Sequence, residues 1–167
     1  MKRLMSVVLS VVVVLMMCGG AMAEECFNAQ GSALVPNIIY VYNNAKNYVY
    51  PYITISNITD KEVQCKVTVF DHDGVDVTSL GSVLSGGSSL VTISHGVGDI
   101  DLPAYSTRAY SLQPSGGKKV IYGHAIIEWK SADAKLRRAL IGGVNRHRLC
   151  GTSRSDSERL INDGNPF

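Results

Sequence analysis

No apolar run in this 167-residue chain is long enough to cross a bilayer as a helix. The longest, Ser6 to Cys18, falls short of the roughly 20 residues required, and no later segment approaches it. The chain also lacks the spacings that mark common catalytic centres. There is no Cys-x-x-Cys, no His-x-x-x-His, no Gly-x-Ser-x-Gly and no Gly-x-Gly-x-x-Gly. These absences remove the motif-level grounds for a thiol redox enzyme, a zinc protease, a serine hydrolase or a dinucleotide enzyme. Gly142-Gly143 follows a short apolar run without the helix a phosphate cradle needs, and reads as a bend or bulge. Internal repeats are also missing.

What is present begins with a leader. Lys2 and Arg3, the apolar run Ser6–Cys18 and Ala21-Met22-Ala23 before Glu24 form the three parts of a secretory signal peptide over residues 1–23. A lipoprotein anchor would use Cys18, but Leu15-Met16-Met17 lacks the small residues such a site requires. The expected product is secreted or periplasmic, with no transmembrane segment after cleavage. Removing residues 1–23 takes away two cations, so the formal balance goes from 16 minus 14 to 14 minus 14. A neutral product gives no argument for nucleic acid. Charge is nevertheless uneven: Glu24 to Asp101 holds nine acids and three bases, Leu102 to Phe167 five acids and eleven bases. That asymmetry allows head-to-tail pairing of subunits, or simply two solvated surfaces.

The mature chain suits one domain, with a β-sandwich over 24–150 and a tail or clasp over 151–167. Period-two alternation is clearest from Glu62 to Phe70, where Val63, Cys65, Val67 and Val69 share one face. Further strands are predicted at Asn37–Tyr42, Tyr48–Ser56, Leu90–Ser94, Thr107–Leu112, Lys119–Trp129 and Ala139–Val144. Gly81 to Ser89 reads as a flexible loop. Asn57 to Lys61 and Asp71 to Gly74 read as turns of a hairpin framework, and Pro51 places its strand at a sheet edge. After Cys150 the chain turns polar, with Ser155 or Asp156 able to cap a short helical turn.

The stretch Tyr52 to Asp76, followed by Asp101 to Thr107, resembles the strand and turn grammar of bacterial secreted immunoglobulin-like sandwiches over about half of the mature chain. The resemblance implies a fold class: mainly β, an antiparallel immunoglobulin-like sandwich or open barrel with a short irregular C-terminal tail. It carries no function.

Candidate sites are few. Cys26 and Cys150 flank the strands, and a disulfide between them would tie the ends together, while Cys65 on an apolar face reads as a buried hydrophobe. Asp71, Asp73 and Asp76 on one turn offer hard oxygens to calcium, although the turn itself accounts for Asp73-Gly74. No other cofactor is expected. His72, His95, His124 and His147 are scattered; His124 and Glu128 share a strand face but stand about 13 Å apart. Tyr48, Tyr50 and Tyr52 alternate onto one face, with Tyr40 and Tyr42 on the preceding strand. Exposed, they would stack on sugars or anchor a protein; covered, they are packing. Arg137, Arg138, Arg146 and Arg148 are the densest basic stretch, and terminal Phe167 lacks the alternation of an outer-membrane strand. The sequence points to a noncatalytic interaction or assembly protein that contacts a protein partner or itself. Its alternative is a carbohydrate- or calcium-binding module.

Overall fold

The computed structural model describes residues 27–113 and 117–167. The leader and Cys26 therefore lie outside the described residues. Ten strands account for most of the rest: β1 (Gly31–Asn44), β2 (Asn47–Asn57), β3 (Val63–Phe70), β4 (Gly81–Ser85), β5 (Val91–His95), β6 (Asp99–Leu102), β7 (Thr107–Leu112), β8 (Lys119–Lys130), β9 (Leu140–Cys150) and β10 (Ser153–Leu160). Two short 3-10 turns, Thr78–Leu80 and Ile161–Gly164, complete the regular elements. Every strand pair is antiparallel, and the strands form a single curled sheet, a half-barrel, in the order β5-β4-β7-β2-β1-β8-β3-β6 with β9 and β10 branching from β2.

The branch at β2 organises the fold. One edge of β2 pairs with β9 along its whole length, from Asn47–Cys150 to Asn57–Leu140. Its other edge is shared: Asn47 to Val49 pair with β1, and Tyr52 to Ser56 pair with β7. Pro51 thus sits in a central strand, not at an edge. Its carbonyl accepts a hydrogen bond from the Ser111 hydroxyl of β7 at 2.9 Å, so its nitrogen also points to the side where β1 hands over to β7, and no ladder bond is lost there.

Burial follows the alternation. Val63, Cys65, Val67 and Val69 of β3 face the core together with Ile121, Ala125, Ile127 and Trp129 of β8. In β1 a bulge between Val35 and Ile38, with Asn37 at a positive φ of 57°, shifts the inward set from odd to even residues. Val35, Ile38 and Tyr40 are consequently all buried. Gly123 of β8 lies opposite the bulge, and a Cβ there would collide with the Phe70 carbonyl, so glycine is required by close backbone approach.

Several expectations are corrected. Gly81 to Ser85 is a buried strand, not part of a flexible loop: Gly81 leaves room for the Tyr110 ring, whose hydroxyl donates to the Thr78 carbonyl at 2.7 Å. β2 and β3 are not paired, so the turn between them is a crossing between distant strands, not a hairpin. That crossing is held by Asn57. Its Nδ2 donates to the carbonyls of Lys61, Leu102 and Pro103 at 2.7, 3.0 and 3.0 Å, and its Oδ1 accepts from the Thr59 amide and hydroxyl. The C-terminal segment is not irregular. β10 pairs with β9, the helical turn at Ile161–Gly164 has Leu160 before it and no side-chain cap, and the Phe167 amide and carbonyl bond to Leu140. Ile161 and Phe167 are buried.

Candidate functional site

Three strands end the sheet among the described residues: β5, β6 and β10. An end strand offers unpaired main-chain groups to other chains, and charge is the usual guard. β6 carries exposed Asp99 and Asp101 on its four residues. β10 is exposed throughout and carries Arg154, Asp156, Glu158 and Arg159. β5, Val91-Thr92-Ile93-Ser94-His95, carries neither Asp, Glu, Lys nor Arg. Val91 and Ile93 there are 54% and 53% exposed, and Leu90, just before the strand, 65%.

β5 is held in place by its neighbour. β4 is buried at Gly81 to Leu84 between β7 and β5, and the Ser82 hydroxyl lies 2.8 Å from His95 Nδ1. Gly96, at φ 78°, turns the chain so that its amide donates to the Gly81 carbonyl at 2.9 Å. The ladder shifts register between Val83–Ser94 and Leu84–Thr92, leaving Ile93 unopposed in a bulge with its side chain outward. The edge is therefore guarded by shape alone and is apolar. The sequence showed the strand; it did not show that the strand is terminal.

The tyrosines are brought together as expected, but as a stack. Tyr48 and Tyr50 lie with ring centroids 4.5 Å apart at 16°, and Tyr50 and Tyr40 lie 5.4 Å apart at 17°. Tyr48 also meets the His147 ring at 6.1 Å, and His147 Nδ1 lies 2.5 Å from Asp156 Oδ1. Tyr50 is thus stacked between Tyr48 and Tyr40, and Tyr48 between Tyr50 and the tilted His147 ring. Burial, with smaller contributions from Tyr50 and Tyr42, pushes the Tyr40 phenol up to about 12, and burial raises Tyr50 and Tyr52 as well. Tyr52 sits one step along the same face, opposite Asn145.

The Asp71 turn uses its acids internally. Asp71 Oδ1 accepts the Asp73 and Val75 amides at 2.9 and 3.0 Å, and Asp76 Oδ1 accepts the Thr78 amide at 2.8 Å. The Val75 amide is the main reason the Asp71 carboxyl is held below the usual range, with the Asp73 amide, His72 and Lys119 adding. Asp73 lies 3.6 Å from His72. No group of three or more His, Cys, Asp or Glu converges as metal ligands among the described residues. Cys65 is buried, which raises its thiol pKa, with Asp99 and Glu128 adding, while Cys150 is exposed at the end of β9. His124 and Glu128 share a face of β8; His124 stacks on Phe70 at 5.4 Å, and Glu128 lies opposite Lys66.

No family model matches the chain, and no curated protein does. Among solved structures, the crystal structure of Thermotoga maritima 1070 superposes on 83% of this chain and 99% of that one, at 12% identity and a TM-score of 0.47.

Proposed function

We propose that this chain is an exported, noncatalytic assembly domain that associates with a second copy of itself through the β5 edge. The observation that carries the proposal is the chemistry of the three sheet ends. In a two-fold contact each strand meets its own copy, residue i against j and j against i, so a strand's composition decides what it meets. β6 would set Asp99 and Asp101 against acids, and β10 would take four charged side chains out of water, whereas β5 meets itself with Val91 and Ile93, Leu90 beside them, and no Asp, Glu, Lys or Arg. Covering three apolar side chains favours association. The area is small beside a standard interface of about 800 Å² per partner, so the contact is of the weak, reversible kind.

Export is supported by the leader pattern of residues 1–23. The bridge from Cys26 to Cys150 is not adopted: Phe27, next to Cys26, meets Lys130 near the Gly31 end of β1, whereas Cys150 lies opposite Asn47 at the Asn44 end. An immunoglobulin-like stacking of the curled sheet belongs to the same proposal. It is supported by the one-faced burial of β3 and by the antiparallel pairing throughout. The carbohydrate and calcium readings are not adopted, because the Tyr48 and Tyr50 rings stack within the chain, Asp71 Oδ1 is taken by two amides, and no three acids or histidines converge among the described residues.

Amide hydrogen exchange at low and high protein concentration tests the proposal. Val91 to His95 gain protection with concentration if β5 is the contact. Concentration-independent exchange in β5 refutes it.

A further inference from the structure

The β9–β10 hairpin has two chemically different faces. On one, Arg148 and Arg146 lie opposite Ser155 and Ser157, and Arg159 lies opposite Val144. On the other, His147 lies opposite Asp156 and Asn145 opposite Glu158. The guanidiniums of Arg146 and Arg148 have no acidic partner among the described residues, and Arg159 gives one N–H to the Pro36 carbonyl at 2.9 Å.

The sheet register extends the arginine face across five strands. Ser155 pairs with Arg148, Arg148 with Val49, Val49 with Val41, and Val41 with Val120. This unbroken row crosses four strand spacings, about 19 Å. Ile39 and Tyr122 pair beside its far end. One end is thus arginine and serine, and the other valine and tyrosine, with Val120 and Tyr122 45% and 54% exposed.

We infer that this face docks on the surface of an anionic phospholipid bilayer. Arg146 and Arg148, with the Ser155 and Ser157 hydroxyls, take the phosphodiester headgroups; Val49, Val41, Val120 and Tyr122 rest at the boundary between headgroups and acyl chains. The cations that β9 and β10 present on this face are all arginine, whose planar fork matches phosphate oxygens. A soluble polyanion would satisfy the guanidiniums and leave the apolar end wet. A second copy docked two-fold on this face would set the guanidiniums against arginine or valine, with no acid in the row to meet them. An interfacial surface uses both ends at once: apolar area for the boundary, with an aromatic whose tip is polar, and positive charge for anionic lipid.

The test is vesicle flotation of the chain as recovered from an exporting host, with its N-terminus defined by intact mass so that every variant carries the same end. Vesicles of phosphatidylcholine alone are compared with vesicles containing phosphatidylglycerol. The chain is expected to float only with the latter. Each of Arg146→Gln and Arg148→Gln weakens binding about fivefold, and the pair roughly thirtyfold. Val120→Asp also weakens it, whereas Arg154→Gln, on the opposite face, leaves it unchanged. Trp129 fluorescence confirms that each variant is folded. Three results overturn the inference: equal flotation of the double arginine variant, binding of soluble polyphosphate that ignores Val120→Asp while vesicles are not bound, or a dimer dissolved by the double variant without vesicle binding.

Discussion

Replacing Asn57 with alanine is expected to cost about 3 kcal/mol of stability. The side chain is 2% exposed and ties the end of β2 to the end of β6. Its two amide hydrogens are shared among the Lys61, Leu102 and Pro103 carbonyls, and its oxygen serves Thr59 twice. A net hydrogen bond contributes about 1 kcal/mol, and a buried carbonyl left without a donor costs about 1–3 kcal/mol. Water can reach the more open Lys61 and Thr59 partners, so the loss falls well short of the full sum. For a domain of this size about 3 kcal/mol corresponds to a Tm lower by roughly 6–12 °C. Trp129, the single tryptophan and fully buried, reports the transition by fluorescence. Asn57→Asp separates donor from shape. At neutral pH it puts a carboxylate oxygen against three carbonyls and is more damaging than alanine. That site raises the folded pKa of the new acid above its unfolded value, so the variant regains relative stability as pH falls through the folded pKa, the recovery being complete once pH is below the unfolded value. An alanine variant within about 0.5 kcal/mol of the parent, below the net contribution of one hydrogen bond, refutes the reasoning.

Other expected outcomes rest on separate features. Gly123→Ala forces a Cβ into the Phe70 carbonyl and is expected to lose about 2 kcal/mol or more in denaturant unfolding, whereas Gly86→Ala, where nothing lies within 4 Å, changes little. A phenol with a folded pKa above its unfolded value contributes stability that is complete below pH 10.0 and lost as pH rises through about 12; a tyrosinate absorbance titration therefore shows Tyr40 ionising late, together with unfolding. Native alkylation is expected to modify the exposed Cys150 without prior reduction and Cys65 only on unfolding, as peptide mapping by mass will show.

Strands with one wet and one dry face were legible in the sequence. Val63 to Phe70 alternates cleanly because β3 lies between β8 and β6 with one face on the core. Elements without that contrast were not. β4 hid behind glycine and serine, since its Gly81 yields space to Tyr110 and its Ser82 is buried on a hydrogen bond. β10 has no apolar face because both of its faces are exposed. β6, with four residues, is too short to show a period. The tyrosine alternation was readable, but the stacking geometry that occupies the rings depends on β1 meeting β2 at Tyr42–Tyr48. Which strands end the sheet, and which side chains of five strands form one row, are consequences of register. No local pattern contains them.

The central claim is that β5 is the contact between copies, and sedimentation velocity over a range of concentrations tests it most directly. The parent chain is expected to shift from monomer toward dimer as concentration rises, and Ile93→Lys, which places a cation against its own copy, is expected to stay monomeric with an unchanged Tm. A dimer that persists in Ile93→Lys, or a parent chain that is monomeric throughout the range, contradicts the account.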